Sequence, residues 1–189
     1  MIAVSNLQFH NDIPFEDYLA LPGYSFSGLK AKMSGEVIKP SIGMMLGTRV
    51  HNYLLEPEKY DGVDYAMVTK IAAVLRGYLG AATQFLIKEQ AFTATFTYDG
   101  YEMQYKGRTD LLFLNKLVID LKILSGDLQS AIDRFNYCSQ LTGYAIATGC
   151  MTSIIISFNK TNSKVESRII PKQYEFWMHC IKTYGTPIH

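Results

Sequence analysis

Three strand-like runs follow one another at residues 87–97, 101–113 and 117–123, and the last two carry charge in an unexpected place. Asp99-Gly100 between the first two is a hairpin turn, because both residue types tolerate the left-handed backbone such a turn needs. The polar pair Asn115-Lys116 turns the chain again. Asp110 sits inside the second run. Ten positions on, Asp120-Leu-Lys122 sits inside the third, with Leu111, Leu112, Phe113, Val118 and Ile119 between the acids. An unpaired charge in an apolar sheet is expensive. Two neighbouring acids also repel, and a shared divalent cation keeps both ionised. A lysine beside that cation neutralises charge developing on a phosphate or orients an attacking water. Two acids and a lysine on a hairpin are what metal-dependent phosphodiester hydrolysis requires.

Around this hairpin the pattern predicts α+β architecture: a central mixed sheet flanked by helices. Residues 1–40 read as irregular, with one short helix through Leu29, Lys30 and Met33 that Ser27 caps. Helical periodicity covers 42–55, with Met45, Leu46, Val50, Tyr53 and Leu54 on one face, and again 66–85. A single long helix is expected from Asp127 or Ser130 to Thr148, stopped by Gly149. Runs 152–158 and 164–170 form a further hairpin, and Pro171 opens a last helix to about Tyr184. No linker or repeat divides the chain, so 1–189 reads as one domain.

The 189 residues suffice for a continuous core, and 48% hydrophobic with 19% charged residues is a globular composition. No apolar run reaches the roughly 18 residues of a membrane span. With no basic-then-apolar leader, the expected location is cytoplasmic, with no membrane partner. A net charge of +1 argues against passive coating of nucleic acid, yet leaves a DNA enzyme open, because metal-binding carboxylates lower the formal charge. Cys138, Cys150 and Cys180 lack the spacing of a zinc or disulfide framework.

Four further features accompany the acids. Gly47 and His51 share a helix face, and a helix-interior glycine usually marks close approach to another element. A lone histidine of this kind is either satisfied in the core or part of a site. Glu89 opens the first strand, as an exposed residue or a third acid. Lys106-Gly-Arg108 leads up to Asp110, as phosphate contacts or as ordinary strand charges. Gln140 and Tyr144 share a face of the long helix, to support a site or to fill an amphipathic surface.

The ordered set Tyr24-Ser-Phe-Ser-Gly-Leu-Lys30, Gly47-Thr-Arg-Val-His51-Asn-Tyr-Leu-Leu-Glu56-Pro-Glu58, Glu89, Lys106-Gly-Arg-Thr-Asp110, Val118-Ile-Asp-Leu-Lys122 and Gln140-x3-Tyr144 resembles the RecE-type exonuclease domain (exodeoxyribonuclease VIII). That domain is a branch of the PD-(D/E)xK nuclease superfamily, to which lambda exonuclease also belongs. The resemblance runs from about residue 20 to 150, with 51–58 its most specific part. It implies a restriction-endonuclease-like core at 41–189 and a DNA-end-contacting segment at 1–40. By the same resemblance Asp110, Asp120, the Leu121 carbonyl and His51 bind one or two Mg2+ or Mn2+ ions, and Lys122 positions water. Glu89 becomes a helper acid, and Gln140 and Tyr144 support the site. Ser25, Ser27 and Lys30 match the DNA-end contacts, with Arg49, Lys106 and Arg108 as further DNA-binding residues. The second acid is Asp120 where the superfamily more often has Glu, and Ile123 stands where Thr often follows the lysine.

The implied activity is metal-dependent DNA exonuclease action on duplex ends in phage-type or bacterial recombination. A homo-oligomeric ring and a single-strand annealing protein are the partners the resemblance implies. Two alternatives remain: a single-strand-specific nuclease of the superfamily, or a non-catalytic DNA-binding or assembly module on the same fold. The iron–sulfur type of single-strand nuclease needs four cysteines, and this chain has three.

Overall fold

The computed structural model describes residues 1–35 and 41–188. Its centre is a seven-stranded mixed sheet. β1 (Ala3–His10), β2 (Ile87–Tyr98), β3 (Tyr101–Phe113) and β4 (Leu117–Leu124) are antiparallel neighbours in that order. β5 (Thr152–Asn159) pairs parallel with β4, β6 (Lys164–Ile169) closes that side, and the two-residue β7 (Thr186–Pro187) pairs with the start of β3.

Helices cover both faces. α3 (Ile42–Leu55) and α4 (Tyr65–Leu79) bury Val50, Val68, Ile71 and Leu75 against Leu111, Ile119 and Leu121. The opposite face carries α2 (Phe26–Ser34), α5 (Leu128–Phe135), α6 (Tyr137–Thr148) and α7 (Glu175–Tyr184), packed on Phe92, Phe96 and Tyr105. Trp177 is wholly buried there, its ring centre 4.6 Å from that of Tyr105. α6 approaches Trp177 so closely that a Cβ on Gly143 would lie 2.1 Å from its Cζ2, so only glycine fits.

The N-terminal region is more ordered than its sequence predicts. Its described part holds β1, α1 (Phe15–Ala20) and α2; 36–40, including Pro40, lies outside the described residues. β1 pairs with the long β2, a non-local match that local patterning does not register. Ser25, not Ser27, caps α2, accepting from the Gly28 amide at 3.1 Å. The helix expected over 66–85 ends at Leu79, where Gly80 turns to φ +58° and a 3-10 segment follows. The last helix begins at Glu175 and not at Pro171. Gln173 in the extended approach donates its amide to Thr142 Oγ1 instead of starting a turn. The long helix over 127–148 is two helices, broken at Asn136 with φ +55°.

One feature of β3 positions everything that follows. On one side β2 accompanies it from Tyr101 to Leu112, with the rung at Asp110 missing. On the other, β7 pairs at Tyr101 and Glu102, Tyr24 bridges at Tyr105, and β4 pairs only from Leu111 to Phe113. Between these contacts β3 and β4 part.

A candidate metal centre where two strands part

Where β4 leaves β3, the backbone of Leu121 faces the gap with neither of its polar groups in that ladder. Buried backbone groups demand partners. Asp110 Oδ2 accepts the Leu121 N–H at 2.6 Å, and His51 Nε2 lies 2.9 Å from the Leu121 carbonyl. Since a carbonyl only accepts, Nε2 carries the proton. This fixes the ring, and Nδ1 faces the acids: 3.6 Å from Asp110 Oδ1 and 3.9 Å from Glu89 Oε1.

Glu89 reaches this point by an unusual backbone. Its φ is +46°, and the Glu89/Asp110 pair is missing from a β2–β3 ladder that is present at Lys88/Leu111 and Gln90/Thr109. Left-handed geometry is uncommon for a residue with a side chain and marks a locally strained position. Strand alternation slips here as well. Met103 and Tyr105 belong to the α6–α7 face, so Leu111 should follow them, but Leu112 takes that place and Leu111 turns to the α3–α4 face.

One atom each of His51, Glu89 and Asp110 lie within 4.8 Å of one another. Hard carboxylate oxygens with one imidazole suit Mg2+ and suit Mn2+ better. The two histidine–acid separations are ones that a pair of bonds of about 2.1 Å can bridge with little movement. The residues therefore fit a divalent cation.

Asp120 completes the site from β4. It is buried and ion-paired to Lys122 at 2.6 Å. Burial raises Asp120 to about 6 against the pull of Lys122, with Asp110 adding to the rise. Asp110 is also raised by burial, opposed by His51 and Lys122. Burial lowers His51, but Asp110 and Glu89 outweigh it and lift the ring to about 9. Burial likewise opposes charge on Lys122, and Asp120 and Asp110 overcome it, leaving the amine above its ordinary value. The site therefore holds protons more tightly than its residues do in water, as expected where more acid is buried than local cations neutralise.

Of the residues that the sequence assigns to one centre, the structure gathers His51, Glu89 and Asp110 on one point, holds Leu121 between His51 and Asp110, and pairs Asp120 with Lys122 outside that group. The Leu121 carbonyl, a predicted ligand, already accepts from His51. Gln140 Nε2 donates to Tyr144 Oη at 3.1 Å, and burial pushes the Tyr144 phenol well above its ordinary value, with Asp120 and Asp110 among the nearby charges.

The expected DNA contacts divide. Lys106 points inward, its Nζ donating to the Leu19 and Leu21 carbonyls at 2.6 and 2.7 Å, so it anchors the α1–α2 connection. Arg108, 9% exposed in its side chain, joins Glu89 at 3.0 Å to Glu56 at 2.5 Å. Its charge is committed to acids, and it holds the Glu89 oxygen that faces away from His51. Arg49 pairs with Asp61 and Asp64. Ser25 is the α2 cap, with Ser27 Oγ 3.3 Å from its hydroxyl, and Lys30 donates to the Phe135 carbonyl at 3.2 Å. In this structure Lys106 is engaged by backbone carbonyls, Arg108 by two acids of the site, and Arg49 by two half-exposed acids at the surface.

Gly47 does not mark a close approach: a Cβ there would meet nothing within 4 Å. The sequence gives Glu56 no evident role and does not mark Tyr137, whose ring lies 5.0 Å from Lys122 Nζ. The run of glutamate and proline after the histidine helix was the available signal for Glu56; for Tyr137 there was none.

No family model matches the chain, and no curated protein matches it. Among solved structures, a protein from Eubacterium rectale named "Putative exonuclease" superimposes with a TM-score of 0.55 at 16% identity, over 88% of this chain and 73% of that one. A protein named SSO0001 aligns over 87% of this chain and 80% of its own at 15% identity, with a TM-score of 0.44. The first likeness is one of fold: α+β, with a mixed central sheet flanked by helices. Among the described residues no helix is long and apolar enough to cross a membrane.

Proposed function

We propose that this chain is a metal-dependent DNA exonuclease of the RecE-like branch of the PD-(D/E)xK superfamily, acting at duplex ends. The observation that carries this reading is the convergence of His51, Glu89 and Asp110 on one point beside the buried Asp120–Lys122 pair. The E. rectale likeness supports the reading through its fold and its name.

Bound by His51, Glu89, Asp110 and Asp120, Mg2+ or Mn2+ supplies polarisation of a phosphoryl oxygen and acidification of a water. The protein's own residues do the rest. Asp110 and His51, locked on the two polar groups of Leu121, set the geometry of the donors. Lys122 holds a full positive charge where negative charge develops on phosphorus and orients the attacking water. Gln140 holds the Tyr144 hydroxyl beside the acids.

The test is degradation of end-labelled linear duplex DNA with Mn2+, wild type beside Lys122→Ala. Wild type releases label, and the variant is slower by about 10²- to 10³-fold, as for loss of one stabilising donor in a dry site. Comparing 5′ with 3′ label gives polarity. Absence of cleavage by wild type on duplex and single strands, with either ion, overturns the reading.

A further inference from the structure

The break at Asn136 builds a surface that the proposed chemistry does not use. In a continuous helix residues two apart point in widely different directions and do not meet. Phe135 and Tyr137, on either side of the left-handed Asn136, instead stack with ring centres 5.6 Å apart and planes 29° apart. A non-glycine residue at positive φ is held there by its surroundings, and here it brings two aromatic rings together beside the active lysine. Tyr137 is half-buried, with its ring 5.0 Å from Lys122 Nζ. Phe135 continues the stack outward, 43% exposed.

Two cations lie near Phe135, one over its ring and one at its backbone. The Arg134 guanidinium lies 5.4 Å from the Phe135 ring centre. Lys30, from the segment expected to contact DNA ends, is tied to the Phe135 carbonyl at 3.2 Å. A partly exposed ring with one cation over it, a second at its carbonyl and, behind it, the lysine proposed to handle phosphate matches the chemistry of unpaired nucleotides. Bases stack on rings regardless of sequence, and cations hold the chain between them. A protein partner would need a broader apolar patch than one ring.

We propose that Phe135, backed by Tyr137, is a stacking platform for an unpaired nucleobase next to the phosphate at Lys122. This rests on the nuclease reading and extends it by naming the residue that holds the base.

The experiment is fluorescence anisotropy with 3′-fluorescein dT12 in Ca2+, to permit binding without turnover, using wild type, Phe135→Ala and Phe135→Trp. The alanine variant should bind about tenfold more weakly, and the tryptophan variant within twofold of wild type. On an abasic chain of the same length wild type should weaken to the level of the alanine variant. Equal binding of dT12 by wild type and Phe135→Ala overturns the platform. So does an undiminished difference on the abasic chain, which would mark Phe135 as structural. If wild type still degrades DNA in Mn2+ in either of those cases, the platform alone falls. If wild type neither binds nor cleaves, the nuclease reading falls with it.

Discussion

The two ends of the β2–β3 hairpin are built from the same strands by opposite rules. At the turn end, Asp99 and Gly100 take φ of +52° and +78°, and the ladder runs unbroken from Tyr98/Tyr101 to Gln90/Thr109. Phe92, Ala94, Phe96, Met103 and Tyr105 fill one face there. At the other end the ladder skips Glu89/Asp110, β3 parts from β4, and side chains replace strand pairing at Leu121. The regular end is assembled for burial. The irregular end holds buried acids that burial itself opposes, and such a place is kept for what it binds.

If so, charge removal at the irregular end should abolish function without loss of stability. Asp110→Asn keeps an oxygen for the Leu121 amide but deletes a carboxylate whose ionisation burial disfavours. Nuclease activity with Mn2+ should fall by about 10²- to 10³-fold. The melting temperature in EDTA should stay level or rise. A large fall in that temperature would show that the acids hold the fold together, and the contrast between the two ends would fail.

Gly107 lies in the regular part of the ladder, opposite Phe92, and the expected effect there is on stability. An added Cβ would sit 2.4 Å from Phe92 Cζ and 2.9 Å from Tyr144 Cε1. Gly107→Ala should cost about 1–3 kcal/mol by overpacking, measured by urea denaturation in EDTA.

Glu56 tests whether the irregular end is held from outside. Through Arg108 it fixes the far oxygen of Glu89 and leaves Oε1 toward His51. Glu56→Gln should weaken Mn2+ binding, read by calorimetry, by about 10-fold or more, the usual effect of losing an outer partner of a metal ligand. Unchanged affinity would make the ion pairs scaffolding only.

These partners also show what the sequence could and could not disclose. The hairpins, the 42–55 helix and the grouping of His51, Glu89, Asp110, Asp120 and Lys122 were legible, because turn chemistry and charge inside apolar strands are local signals. The fates of Lys106 and Arg108 were not. Lys106 is satisfied by carbonyls of Leu19 and Leu21, and Arg108 by Glu56, all distant in the chain. The break at Asn136 was hidden for a different reason. Asparagine tolerates the left-handed region, but nothing in its neighbours says that it uses it.

The protonation of the site gives a smaller, continuous test. His51 is raised to about 9 in the fold from an ordinary 6.5, and Asp120 to about 6 from 3.8. In both cases the folded chain binds more protons than the unfolded chain between the two values, so stability falls as pH rises through each interval. Metal-free protein should therefore lose stability between pH 4 and 6 and again between 6.5 and 9, the second step being about 1–3 kcal/mol. His51→Gln should remove the second step and, by withdrawing a charge that opposes the rise of Asp110 and Asp120, enlarge the first. Mn2+ affinity should move the opposite way and rise with pH, because the ion displaces these protons.

Gly47 carries the smallest expected effect and separates two explanations of a helix glycine. It stands one turn before His51 on α3, and a side chain there would meet only open space. Packing therefore does not require glycine, and Gly47→Ala should stabilise the metal-free protein by up to about 1 kcal/mol through helix propensity. If activity is retained, the glycine is incidental. If activity on DNA falls while Mn2+ affinity holds and the melting temperature rises, the space over Gly47 is occupied during turnover, and the substrate backbone passes along α3 on its way to His51. The irregular end of the hairpin would then extend onto the helix that faces it.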